Sequence, residues 1–338
     1  MKNIYPTLLF LMFLLMSCST QKQEVTRISD QAYETISDSI YTRMPGSIVY
    51  QNGIVYWEDP FAFENFMHAV DIQKKAEVVS FANRGEGPND FTQAVMFSVS
   101  EEGIFINDSN KPLEIAYRID RNQGSVSFSS GKYELDTNVT RLLHLGKDGI
   151  LRHNPQTEKL FQLTGNGIGC HFGERPIKDE ADNAYDIFQG QVAYNPQKQV
   201  LVYSSLSFPY VAIYKNKGMK NWELEKEHSE AFDYSLTEGR VVFSSNNKSG
   251  AMELALTKDY IILLQRDTEV EESVSNKEPG LSFKRLPHSL FVYDYNLELK
   301  KIINMPVPML RLCGDYQTNT IYAMCVDPEF KLISIDIE

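Results

Sequence analysis

Cys170 and His171 stand side by side in Gly165-Asn166-Gly167-Ile168-Gly169-Cys170-His171-Phe172-Gly173, the residue types of a thiol nucleophile and its base. Neighbours on an extended segment point to opposite faces, so the pair would not meet on a strand and no reaction is assigned to it. His171 is retained as a candidate ligand contact. Arg84, Glu86, Asn89 and Asp90 lie in Arg84-Gly85-Glu86-Gly87-Pro88-Asn89-Asp90, where a glycine-built turn could present charge to a ligand; the plainer reading is a turn whose charges are solvated or paired with each other. No Lys-Ser/Thr follows these glycines, which separates them from a phosphate-binding loop. Asn107, Asp108 and Asn110 are oxygen donors of the kind calcium takes, although Asx residues leaving a strand more often make turns. His68, His144, His153, His228 and His288 are dispersed. With no His-x-His, His-Glu-x-x-His or Cys-x-x-Cys spacing, no metal site is expected, and no Gly-x-Ser-x-Gly elbow marks a serine nucleophile. No catalytic residue and no cofactor are expected, calcium being the one ion with any donor pattern behind it.

Cys313 and Cys325 flank the last hairpin and would face each other if it turned symmetrically about Asn319. They are candidates for a disulfide, the alternative being two reduced, packed strand cysteines. The Asn-x-Ser/Thr sequences Asn138-Val139-Thr140 and Asn247-Lys248-Ser249 are given no role.

The N-terminus carries chemistry of another kind. Lys2 is followed by an apolar run over residues 8–16 and then by Leu15-Met16-Ser17-Cys18, the layout of a secretory signal too short to span a bilayer. Ser17-Cys18 resembles the lipobox of bacterial lipoproteins, which implies cleavage before Cys18 and acylation of that cysteine. Residues 1–17 are then a signal peptide and residues 18–32 a lipidated tether. Two or three acyl chains, at about 0.8 kcal/mol per buried CH₂, hold a body to a membrane far more firmly than one. Asp38-Ser39-Ile40 matches the short pattern that Bacteroidota O-glycosylate in exported proteins, which makes Ser39 a candidate site.

The body must position whatever these residues do. The chain has 338 residues, 42% hydrophobic and 23% charged, a composition that excludes disorder. Its formal charge of −12 disfavours nucleic acid, whose phosphates would be repelled. A hairpin plan recurs through it. Ser47-Ile48-Val49-Tyr50, Gln51-Asn52-Gly53 and Ile54-Val55-Tyr56-Trp57 are two β-rich runs about an Asn-Gly turn. Comparable turns begin at 51, 101, 147, 195, 258 and 315, and third runs follow at 67–72, 113–119, 159–163, 210–214, 290–295 and 331–337. Fourth runs are distinct at 76–81 and 300–304, weaker at 125–128 and 222–225, and faint near 168–172. Four strands in roughly 45–60 residues is the signature of a propeller blade.

Residues 33–338 are therefore expected to form an all-β, six-bladed β-propeller of four-stranded antiparallel blades. The last blade has only three runs before the chain ends, so residues 25–40 are expected to supply its fourth strand and close the ring. The turns within each hairpin mark one plain face. The opposite face receives residues 84–90, 165–190, 229–249 and 266–288, and long loops on one rim are where binding usually sits.

Residues 81–91, Phe-Ala-Asn-Arg-Gly-Glu-Gly-Pro-Asn-Asp-Phe, resemble the Gly-x-Gly-Pro-Gly-Glu-Phe connection between the first two blades of TolB-like six-bladed propeller lipoproteins of the Bacteroidota, departing from it at Asn89-Asp90. Leu290-Phe291-Val292-Tyr293-Asp294-Tyr295-Asn296 and Ile321-Tyr322-Ala323 are similar to that family's last two blades. The resemblance implies the fold and an address in the cell envelope, with the outer membrane the favoured site, but no established activity. The expectation is a lipid-anchored binding module for an envelope protein, peptide or glycan. The alternative is a metal-dependent hydrolase or lactonase with its site in the central channel.

Overall fold

Asn52 and Gly53 hold φ of +51° and +82°, the mirror-image turn that matches the twist of the strands it joins. The computed structural model describes residues 25–338 except 39, 133–135, 137, 166–167, 219–220 and 272–282. Two short strands open it, β1 (Thr26–Ser29) and β2 (Glu34–Ser37). The first blade is β3 (Ile48–Gln51), β4 (Ile54–Glu58), β5 (Asn65–Asp71) and β6 (Ala76–Asn83). The second is β7 (Ala94–Ser100), β8 (Gly103–Asp108), β9 (Leu113–Asp120) and β10 (Ser125–Lys132). The third is β11 (Arg141–His144), β12 (Ile150–His153), β13 (Lys159–Gly165) and β14 (Ile168–Glu174).

A one-turn helix, α1 (Ala184–Ile187), leads to the fourth blade, β15 (Gly190–Asn195), β16 (Val200–Ser205), β17 (Tyr210–Asn216) and β18 (Trp222–Ser229). A separate hairpin, β19 (Tyr234–Thr237) with β20 (Arg240–Phe243), precedes the fifth, β21 (Glu253–Leu256), β22 (Tyr260–Gln265), β23 (Ser289–Asp294) and β24 (Leu299–Asn304). The sixth is β25 (Met309–Gly314), β26 (Thr320–Val326) and β27 (Phe330–Asp336).

The ring closes as the incomplete last repeat requires. β2 pairs antiparallel with β27, Glu34 opposite Ser334 and Thr35 opposite Ile333, and Ile36 is buried with Leu332. One strand was not foreseen. β1 runs parallel to β24, from Thr26 opposite Lys301 to Ser29 opposite Asn304, and makes the fifth blade five-stranded. The stretch expected to be tether through residue 32 therefore joins the body at Thr26. Arg27 pairs with Asp267 and Glu269, and Ile28 packs on the buried side chains of the fifth and sixth blades.

Both faces of a blade are buried against its neighbours. On β27, Leu332 and Ile333 point to opposite faces and are each 0% exposed, one packing toward the first blade and the other toward the fifth. Interior strands consequently read as continuous apolar runs rather than as alternating ones. Among the described residues no helix is long and apolar enough to cross a membrane.

The same register corrects the disulfide. Cys313 stands opposite Tyr322 and Cys325 opposite Met309, because the hairpin turns three residues out of phase with a bridge and carries a bulge between Met309 and Arg311. Cys325 packs with the fifth blade, Cys313 with the first, and both are free thiols.

Candidate functional site in the axial channel

The innermost strands β3, β7, β11, β15, β21 and β25 stand side by side around an axis, enclosing a cavity of about 880 Å³ lined from all six blades. Apolar side chains form its waist, among them Ile48, Phe97, Leu143, Val192, Leu254 and Leu312. Charged residues line both ends, Glu101, Glu102, Lys147 and Asp148 at the turns on the plain face and a hydrogen-bonded set where the inner strands begin, the end that shares its face with the long loops.

A chain of hydrogen bonds runs round that end. Arg141 Nη2 donates to Gln191 Oε1 at 2.8 Å, and Gln191 Nε2 donates to Met252 O at 2.7 Å. Next in sequence, Glu253 pairs with Arg311 Nη1 at 3.2 Å, and Arg311 Nε donates to Gly46 O at 2.9 Å. Gly46 in turn donates its N–H to Glu58 O, while Glu58 Oε2 accepts from the Ser47 amide at 3.3 Å. Five blades are joined in this way, from the third round to the first. Gly46 has no space for a side chain, because a Cβ there would strike the carboxyl of Glu58.

Burial raises both acids against the pull of the arginines. Glu58 is pushed up to about 7, with the Ser47 amide, Arg311 and Arg141 opposing the shift, and Glu253 is likewise pushed up to about 7 against Arg311 and Arg141. Arg141 is drawn down by burial and by its neighbour Arg311. His153, fully buried behind this end with Thr140 Oγ1 2.7 Å from its Nδ1, falls to about 3 through burial and Arg141, and stays neutral. The arrangement can seat a polar or charged group between guanidinium and carboxyl while an apolar body follows the waist.

The residues singled out from sequence lie elsewhere. Arg84, Glu86, Asn89 and Asp90 do share one connection on the loop-rich face, where Glu86 and Asn89 are exposed and Arg84 and Asp90 are engaged within the chain. Arg84 bridges to Phe91, donates to Ala62 O at 2.8 Å and lies over the Phe66 ring, and Asp90 Oδ2 accepts from the Gly87 amide at 3.0 Å. His171 does not join them. It is exposed on β14, the outer strand of the third blade, opposite Gln162, while Cys170 beside it faces the core. Gly165 ends β13, paired with Ile168 of β14, and β14 runs on to Glu174, so the loop-rich connection expected at 165–190 spans only 175–189.

Asp108 caps a turn, accepting from the amides of Thr92, Asn110 and Lys111, and Asn107 donates to Glu114. The histidines are likewise engaged locally, for example His68 stacked on Trp57 and His144 on Phe105. Among the described residues no group of three or more His, Cys, Asp or Glu is arranged to hold a metal. Cys18 and Ser39 lie outside the described residues.

Sequence reasoning missed Arg141, Gln191, Glu253 and Arg311. Each is one of the first three residues of its inner strand, a phase visible only once the repeats are superposed. The loop-rich face also exposes apolar side chains, notably Tyr41 ahead of β3, Phe61 and Phe63 between β4 and β5, and Leu236 and Val242 on the β19–β20 hairpin.

A ring of six blades about an axial pocket defines a six-bladed β-propeller. The chain belongs to the TolB-like six-bladed propeller family, whose profile matches residues 24–307. Solved structures show the same fold. A DUF4221 family member from Bacteroides vulgatus is 12% identical, with a TM-score of 0.55, covering 92% of this chain and 95% of that one. A regucalcin from Agrobacterium tumefaciens, described as a calcium-binding protein, is 8% identical at a TM-score of 0.52, covering 93% and 96%. Raptor from Chaetomium thermophilum is 10% identical at 0.51, covering 91% of this chain and 30% of that one. No curated protein matches the sequence significantly.

Proposed function

We propose that this protein is a binding module of the cell envelope, held by lipid on Cys18 at the outer membrane, which engages an envelope protein, peptide or glycan on its loop-rich face and receives part of it in the axial pocket. The observation that carries this reading is the cavity of about 880 Å³ lined from every blade, within the size range of ligand sites. Exposed Tyr41, Phe61 and Phe63 on the loop-rich face supply apolar contact area of the kind that marks interaction sites. The hydrolase alternative is less well supported. A calcium ion needs several oxygen donors turned toward it, whereas Glu253 is paired with Arg311 and Asp108 is taken up by backbone amides.

Ala193 lines the pocket, so Ala193→Trp should fill it. Full-length protein equilibrated with envelope extract should carry a bound mass in native mass spectrometry that Ala193→Trp of unchanged circular dichroism lacks. Equal occupancy in both proteins, or calcium-stimulated turnover of a lactone and ester panel, would overturn the proposal.

A further inference from the structure

Arg141 is held at the end of the axis by neutral acceptors. Its guanidinium lines the pocket and donates to Gln191 Oε1 and Thr140 O, both neutral acceptors, out of five donors in a planar fork. Among the described residues no carboxylate stands at ion-pair distance from it, and only Glu253 makes such a pair with Arg311. That pair sets a carboxylate oxygen against a guanidinium nitrogen in this same pocket, a charge-assisted contact of the kind a carboxylate ligand would make with Arg141.

We infer, resting on the reading that this pocket binds a ligand, that the group it takes is a carboxylate, received by Arg141 beside Arg311 and carried on an apolar body that follows Leu143, Val192 and Leu254.

Charge supports a single negative group. Glu58 faces Arg311, Arg141 and Asp59, and Glu253 faces Arg311 and Arg141. The Cys313 thiol beside Glu253 is pushed up by burial and stays protonated, and Arg141 is also faced by Tyr185 and the neutral His153. With both glutamates titrating at about 7, neither sets a full negative charge against Arg141 at neutral pH. One carboxylate supplies that charge at Arg141, where a phosphate dianion brings a second charge toward Glu58, Glu253 and Asp59. Its arrival favours the protonated form of both glutamates, so binding takes up protons and weakens as pH rises through 7.

The test uses hexanoate, its neutral isostere hexanamide and inorganic phosphate, titrated into the full-length protein by calorimetry. Hexanoate should bind, hexanamide and phosphate at least about tenfold more weakly, and hexanoate should bind about tenfold more weakly at pH 8 than at pH 6. Arg141→Gln should abolish the preference for hexanoate over hexanamide. Glu253→Gln should strengthen hexanoate binding and flatten its pH dependence, an opposite change that misfolding cannot mimic. Equal binding of hexanoate and hexanamide, phosphate binding better than hexanoate, or Glu253→Gln weakening hexanoate would overturn the inference. If hexanoate fails while the envelope ligand is still excluded by Ala193→Trp, the carboxylate assignment falls and the binding function stands. If Ala193→Trp excludes nothing, both fall.

Discussion

Asp71 is fully buried and takes a two-pronged ion pair from Arg121 of the next blade, Nε to Oδ2 at 2.6 Å and Nη2 to Oδ1 at 2.7 Å. The amides of Gln73 and Lys74 complete its shell. Arg121 chiefly, against the opposing effect of burial, holds this carboxyl well below its ordinary value. An acid depressed by folding contributes stability above its unfolded value and loses it only as pH falls through the acid range. Removing the guanidinium strands a buried charge, so Arg121→Ala should cost about 3–5 kcal/mol at neutral pH, read by urea unfolding. Arg121→Lys should recover only part, because an ammonium cannot match both oxygens. A loss below about 1 kcal/mol would mean that the backbone amides alone satisfy Asp71.

The strand that closes the ring is short and half polar, and its contribution rests on the ladder to β27 and on Ile36, 4% exposed. Without it β27 becomes an open edge, a template for pairing with other chains. Deleting residues 25–38 should therefore give aggregated protein or a markedly lower melt, and an unchanged monomeric melt would assign closure to other contacts. At the next junction the backbones of inner strands touch. A Cβ on Gly314 would collide with the carbonyl oxygen of Leu256 on the neighbouring blade. Gly314→Ala should destabilise by about 1–3 kcal/mol as the two blades part, measured by thermal melting against Gly131→Ala, where the added Cβ meets nothing nearer than Glu114 O at 3.9 Å.

For the protein as a whole, two axial glutamates set a pH response opposite to that of Asp71. Glu58 and Glu253 have ordinary values of 4.5 and sit at about 7 in the folded protein, so folding takes up protons. The protein should be most stable near the lower value and lose stability as pH rises through 7, by on the order of 3 kcal/mol for each fully shifted acid. Glu58→Gln keeps the acceptor for Ser47 and removes the charge. It should raise the melting temperature at pH 8 and leave it nearly unchanged at pH 5, and an equal shift at both would trace the effect to packing rather than ionisation.

Blade number and ring closure were legible because apolar runs about turns such as Asn52-Gly53 recur, and because a last repeat one strand short demands a partner. Outer strands were harder to read. β10 and β18 are largely exposed, so no burial disciplines their composition. β1 has no repeat to belong to and is held by a parallel ladder and the Arg27 pairs. The sequence alone determined a propeller with one loop-rich face and no recognisable catalytic set. Only the tertiary structure brought Arg141, Glu253, Arg311 and Glu58 together, since these residues stand on four different blades and closing the ring is what carries them to one end of the axis.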